Sequence, residues 1–104
     1  MNEVVKTPEP PYYAVIAPAE LSDDIAGYPE TAGQLLRLAA EIDGFLGIEA
    51  AAQGRFALAV SYWRSLEAID TWRRNVEHLR AKGMGKSLWF DRYITRIARV
   101  EEAY

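Results

Sequence analysis

Between Phe56 and Val76 the chain changes its hydrophobic period within two residues, and that change limits what it can fold into. Phe56, Leu58, Val60 and Tyr62 alternate with Ala57, Ala59, Ser61 and Trp63, a period of two that fits a strand with contacts on both faces. From Leu66 onward, Ile69, Trp72 and Val76 recur at steps of three and four, which is the spacing of one helix face. Ser65 stands where an N-cap is needed, and Glu67 lies in the first turn, where the helix dipole favours a negative charge. The segment therefore reads as a strand, one tight corner and a helix.

The remaining elements are placed around it. Residues 1–11 contain Pro8, Pro10 and Pro11 and are expected to form a flexible or extended arm, because proline supplies no amide hydrogen to a helix or a central strand. A single domain is expected over residues 12–104. Tyr12–Ala17 is a β-rich apolar run that Pro18 is expected to close. A loop containing Gly27 and Pro29 leads into a helix carrying Leu35, Leu36, Leu38, Ala39 and Ile42, ended by Asp43-Gly44. Phe45–Gln53 is rich in alanine and ambiguous in isolation. Its place before a strong strand, with Gln53-Gly54 resembling a hairpin turn, makes it the first arm of a hairpin with Arg55–Trp63.

The helix from Ser65 is expected to bend near Asn75 and end at Ala81, with a glycine loop at Gly83–Lys86. Ser87–Val100 alternates and predicts one long last strand. The order β-α-β-β-α-β specifies an α+β, ferredoxin-like antiparallel sheet with both helices on one face. Apolar residues on both sides of the third and last strands leave the other face too hydrophobic for water, and two copies can bury it against each other as a homodimer.

At 104 residues there is material for one core. A formal net charge of −3 provides no field for phosphate backbones, so the arginines and lysines of residues 73–99 read as a solvated helix face and strand-edge charges, which argues against a nucleic-acid partner. The chain has no cysteine, which excludes disulfides and thiolate metal sites. No run reaches the roughly 18 apolar residues of a membrane helix, and the N-terminus lacks the pattern of a secretory signal, so a soluble, cytoplasmic location is expected.

The wording Tyr62-Trp63-Arg64-Ser65-Leu66-Glu67-Ala68-Ile69-Asp70, followed by Trp72 and His78, resembles the antibiotic biosynthesis monooxygenase domain family. Trp89-Phe90-Asp91-Arg92-Tyr93, leading into Ala98-Arg99-Val100-Glu101, is also similar. The resemblance implies a dimeric α/β barrel built from two ferredoxin-like subunits. It further implies a cofactor-independent monooxygenase, using no metal or flavin, for an aromatic or quinol-like small molecule. Such chemistry needs a dry aromatic pocket and a group that helps to deprotonate a phenol. Trp63, Trp72, Tyr62, Tyr93 and Trp89 are the implied substrate-binding residues and His78 the implied catalytic base.

Each of these residues also has a plainer reading. His78 can cap carbonyls or face water on a helix flank. Trp72 falls on the apolar stripe as a core residue would, and Tyr62 and Tyr93 can belong to a dimer seam. The family also contains haem-degrading members, whose pattern asks for an asparagine on the first strand and a histidine about ten residues after the tryptophan matched by Trp72. Tyr12–Ala17 has no asparagine and the tenth residue after Trp72 is Lys82, which argues against a haem-related role. The alternative to an oxygenase is a non-catalytic dimeric barrel that binds a small hydrophobic metabolite.

Overall fold

In the computed structural model the described residues are 3–81 and 89–104, without the side chains of residues 78–81. The loop expected at Gly83–Lys86 and the side chain of His78 lie outside them. The elements run β1 (Tyr12–Leu21), α1 (Tyr28–Ala40), β2 (Phe45–Gln53), β3 (Phe56–Trp63), α2 (Leu66–Ala81), β4 (Phe90–Tyr93) and β5 (Arg96–Val100). The sheet is antiparallel in the order β2-β3-β1, with β4 and β5 both on the far edge of β1. This is the ferredoxin-like α+β arrangement that the element order specified.

Three details, in β1, the last strand and α2, depart from the sequence reading. β1 does not end at Ala17 but passes through Pro18 to Leu21. The expected last strand, whose first residues Ser87 and Leu88 lie outside the described ones, is interrupted at Ile94–Thr95, leaving β4 and β5 in one register on β1. Both departures have one cause. Pro18 accepts a hydrogen bond from the Ile94 amide but has no N–H to return to the Ile94 carbonyl, so the ladder loses a bond opposite the proline. Thirdly, α2 is continuous through Asn75. The propensity cost of one asparagine, below about 0.7 kcal/mol, is too small to interrupt a helix that Trp72 packs against the core.

The strand-to-helix corner forms as expected, with Ser65 Oγ accepting the Ala68 amide hydrogen at 3.1 Å in an N-cap interaction. Beside it the Arg64 amide bonds the Gly44 carbonyl at 2.7 Å. A Cβ on Gly44 would stand 2.9 Å from the Ala68 Cβ, and its φ is +105°, so only glycine lets the start of β2 approach α2 this closely. The hairpin turn consists of Gly54 and Arg55, one residue beyond the expected pair, because Gln53 still pairs with Phe56.

Val15, Trp63, Ala39, Ala68 and Ile69 form the buried core, with Tyr13, Ile42, Phe45 and Trp72 packed against it. The helices therefore cover the face carrying the odd-numbered residues of β1 and β3. Among the described residues no helix is long and apolar enough to cross a membrane.

Candidate functional site

Cross-strand neighbours in an antiparallel sheet share a face, so the register sorts the helix-covered face into rows. One end carries Phe45, Trp63 and Tyr13, and the next row Ile48, Ser61 and Val15. The two rows beyond are Ala50, Ala59 and Ala17, then Ala52, Ala57 and Ala19, with Tyr93 paired to Ala19. The side-chain layer on this face is therefore bulky at one end and only methyl groups deep at the other, a wedge that thins toward Ala19, Ala57 and Ala52. Four of these alanines are half-buried, and Ala50 and Ala52, on the edge strand, are exposed, so the alanine floor meets water at the β2 edge.

Aromatic side chains stand at both ends. At the deep end the Trp63 ring lies 5.1 Å from Phe45 and 5.8 Å from Trp72, centroid to centroid. Trp63 is fully buried at 0% exposure. Its indole N–H bonds Ser61 Oγ at 2.8 Å, which meets the requirement that a buried donor be paired. Trp72 Nε1 reaches the Leu35 carbonyl on α1 at 3.4 Å. At the other end Tyr28, the first residue of α1, packs edge-on against Trp89 and Phe90 at 5.6 and 5.7 Å, and Phe90 lies 5.4 Å from Tyr93. Trp89 is held by the Ala26 carbonyl at 2.9 Å.

The aromatic candidates therefore fall in three places. Trp63 and Trp72 meet at the deep end of the wedge. Trp89 and Tyr93 belong to the cluster at its shallow end, where Trp89 is buried and Tyr93 is half in water. Tyr62 is separated from all four, because it follows a period of two and projects from the opposite face to Trp63. The backbone of His78 lies in α2. The alanine rows were not singled out from the sequence. Their signal is present in the alternation of residues 57 and 59 and of 50 and 52, yet it becomes a floor only once the order β2-β3-β1 puts the three strands side by side.

On the opposite face Tyr62 takes part in a polar cluster. Its hydroxyl donates to Glu49 Oε1 at 2.6 Å, while Glu49 Oε2 accepts the Val5 amide hydrogen at 2.9 Å. Tyr12 packs edge-on against Tyr62 at 6.0 Å, and its hydroxyl accepts a hydrogen bond from Thr7 at 3.0 Å. The N-terminal arm is thereby fastened across this end of the sheet. Burial, reinforced by the hydrogen bond to the Glu49 carboxylate and by its charge, pushes the Tyr62 phenol up to about 12. The Tyr62 hydroxyl and then the Val5 amide hold the Glu49 carboxyl below its ordinary value, because both stabilise the charged form.

No family model matches the sequence. A protein of Bacillus subtilis, the uncharacterized protein YqjZ, is 48% identical over 103 residues, spanning 97% of this chain and 90% of the relative. Among solved structures, a mutant form of SnoaB of Streptomyces nogalater, a cofactor-independent oxygenase, superposes with a TM-score of 0.72 at 9% identity, covering 88% of this chain and 95% of SnoaB. Rv0793 of Mycobacterium tuberculosis gives 0.69 at 16% identity over 89% of this chain and 96% of that one. A Bordetella bronchiseptica protein named after the antibiotic biosynthesis monooxygenases gives 0.66 at 11% identity over 91% of this chain and the whole of the other. At such identities the likeness is one of fold, and the fold is that of the antibiotic biosynthesis monooxygenase type.

Proposed function

The chain belongs to the family of the uncharacterized protein YqjZ of Bacillus subtilis, and from that premise we propose that it is a dimeric barrel that takes an aromatic or quinol-like molecule into the alanine-floored wedge and oxygenates it with dioxygen. The observation that carries this reading is the wedge itself. Two rows of alanines lie between the Trp63–Trp72 pair and the Tyr28–Trp89–Phe90–Tyr93 cluster, a flat apolar floor that suits a flat apolar guest. The fold shared with a cofactor-independent oxygenase supports the same reading, although fold alone does not carry an activity.

In the proposed reaction the substrate supplies the electrons. A phenol loses its proton, the ring anion adds dioxygen, and elimination of water leaves a quinone. One oxygen atom becomes the new carbonyl, and the other leaves as water together with two hydrogens of the substrate. Burial of the guest between aromatic ends excludes bulk water from the anion. The proton-accepting role falls to His78, the only histidine in the sequence and the only side chain type here that titrates near neutral pH without perturbation. The second subunit packs on the opposite face, where Phe56 and Leu58 are 49% and 37% exposed. A cytoplasmic location is part of the same proposal.

A second reading is ligand binding without oxidation, which the same alanine floor supports, since an apolar surface can hold a guest without reacting with it.

Oxygen uptake against a panel of hydroquinones and polycyclic phenols separates the two. Uptake without added metal or flavin, reduced in His78→Ala and in Ala59→Leu, supports the oxygenase. A folded protein that binds panel members but consumes no oxygen supports the binding reading and rejects catalysis.

A further inference from the structure

The face opposite the helices carries a shallow groove of about 230 Å³ at the interruption between β4 and β5. Pro18, Phe56 and Ile94 give it an apolar floor, and Arg92, Arg96 and Glu20 rim it. Among the described residues neither arginine has an ion pair, whereas Arg55, Arg74 and Arg99 each do. The N-terminal arm is fastened at the other end of this face, on Glu49 and Tyr12, and leaves the groove open. The groove therefore offers two cations over an apolar floor.

The chain also carries a segment of matching character. Beyond Val100, residues 101–104 read Glu-Glu-Ala-Tyr, and all four are exposed. Glu101 is engaged by Arg99 at 2.9 Å. Glu102 has no ion-pair partner among the described residues, and Tyr104 is a large ring standing fully in water. A carboxylate followed by an aromatic ring complements two arginines beside an apolar floor.

The segment cannot reach the groove of its own subunit. β5 runs from Arg96, opposite Ile16, to Val100, opposite Tyr12, so residues 101–104 leave the sheet at the end away from the groove. The groove centre, at Pro18 and Ile94, lies six strand residues behind Val100, or about 20 Å. Four residues span at most about 14 Å even when fully extended, and a reversal of direction consumes part of that.

We infer that residues 101–104 dock in trans, with Glu102 and Tyr104 of one copy seated on the Arg92–Arg96 groove of a second copy, and reciprocally. A two-fold axis that reverses strand direction between two facing sheets brings each segment over the other's groove, and an isologous contact fills both grooves at once. This inference rests on the proposed dimer and adds a reciprocal lock at its two ends.

Because the sequence contains no cysteine, single introduced cysteines give a clean test. Tyr104→Cys and Arg92→Cys copies are mixed, exchanged and oxidised, and a covalent pair containing one of each is expected. In parallel, Arg92→Glu with Arg96→Glu is expected to raise the dimer dissociation constant about tenfold or more, as is Glu102→Lys, and the charge-swapped combination is expected to recover most of that loss. A dimer that forms no such link and whose dissociation constant does not move overturns the docking while leaving the dimer intact. A protein carrying both Tyr104→Cys and Arg92→Cys that links only within one chain overturns it too. A protein that sediments as a monomer at every concentration overturns both this inference and the dimer it rests on.

Discussion

Tyr62 donates its hydroxyl hydrogen to Glu49 Oε1 at 2.6 Å, and the second oxygen of the same carboxylate receives the Val5 amide at 2.9 Å. A strand residue, its neighbour on the adjacent strand and the N-terminal arm are thus joined through one carboxylate. Removing one donor should loosen the arm as well as the strand pair. Tyr62→Phe is expected to cost about 1–2 kcal/mol in urea unfolding, the usual worth of a hydrogen bond to a charged acceptor in a half-buried place.

The same cluster makes stability depend on pH at both extremes. The Tyr62 phenol is raised to about 12, so its contribution is fully present below the ordinary tyrosine value near 10 and is lost as pH rises through 12. Glu49 is shifted downward. Its contribution is present above the ordinary glutamate value near 4.3 and is lost as pH falls through the lower folded value. Denaturant midpoints measured across pH should form a plateau with both shoulders, and Tyr62→Phe should remove the alkaline one and shrink the acid one.

Gly47 sets the height at which the arm crosses β2. A Cβ there would stand 2.6 Å from the Val5 side chain, and φ is +148°, a conformation that costs any other residue. Gly47→Ala should lift the arm without unfolding the sheet. The expected sign is faster tryptic cleavage after Lys6, with circular dichroism unchanged.

Trp63→Ala should be severe, costing about 3–5 kcal/mol, because it empties a fully buried site and leaves Ser61 without its indole partner. Any loss of activity in that variant must therefore be read beside its unfolding curve. Thermal unfolding followed by tryptophan fluorescence gives that curve directly.

Ala59→Leu probes the wedge with less damage to the core. Ala59 lies between Ala50 and Ala17 on the floor and is only half-buried, so the larger side chain would cover the floor on which the proposed guest lies. Stability should fall by no more than about 1–3 kcal/mol, while binding of an aromatic ligand, measured by calorimetry, should weaken at least about tenfold, the equivalent of about 1.4 kcal/mol.

Much of this protein was determined locally. The alternation over residues 56–63, the helical spacing after Leu66 and the Ser65 cap are short-range features, and each depends only on residues within a few positions of one another. Together they set the element order and thereby the ferredoxin-like sheet. The opposition of Tyr62 and Trp63 was also legible, because a period of two sends consecutive side chains to opposite faces.

What only the tertiary structure decided depends on neighbours distant in sequence. Pro18 looks like the end of a strand when read locally, yet β1 continues through it because β3 still pairs on its other side, and the missing amide hydrogen instead interrupts the last strand at Ile94–Thr95. The alanines at positions 17, 19, 50, 52, 57 and 59 are ordinary one strand at a time, and become a floor only when the sheet order puts the three strands in register. Glu49 meets Val5 across 44 residues. Side chains brought together by long-range strand pairing leave no periodic trace in the sequence, so period and propensity reveal the elements while register and packing create the site.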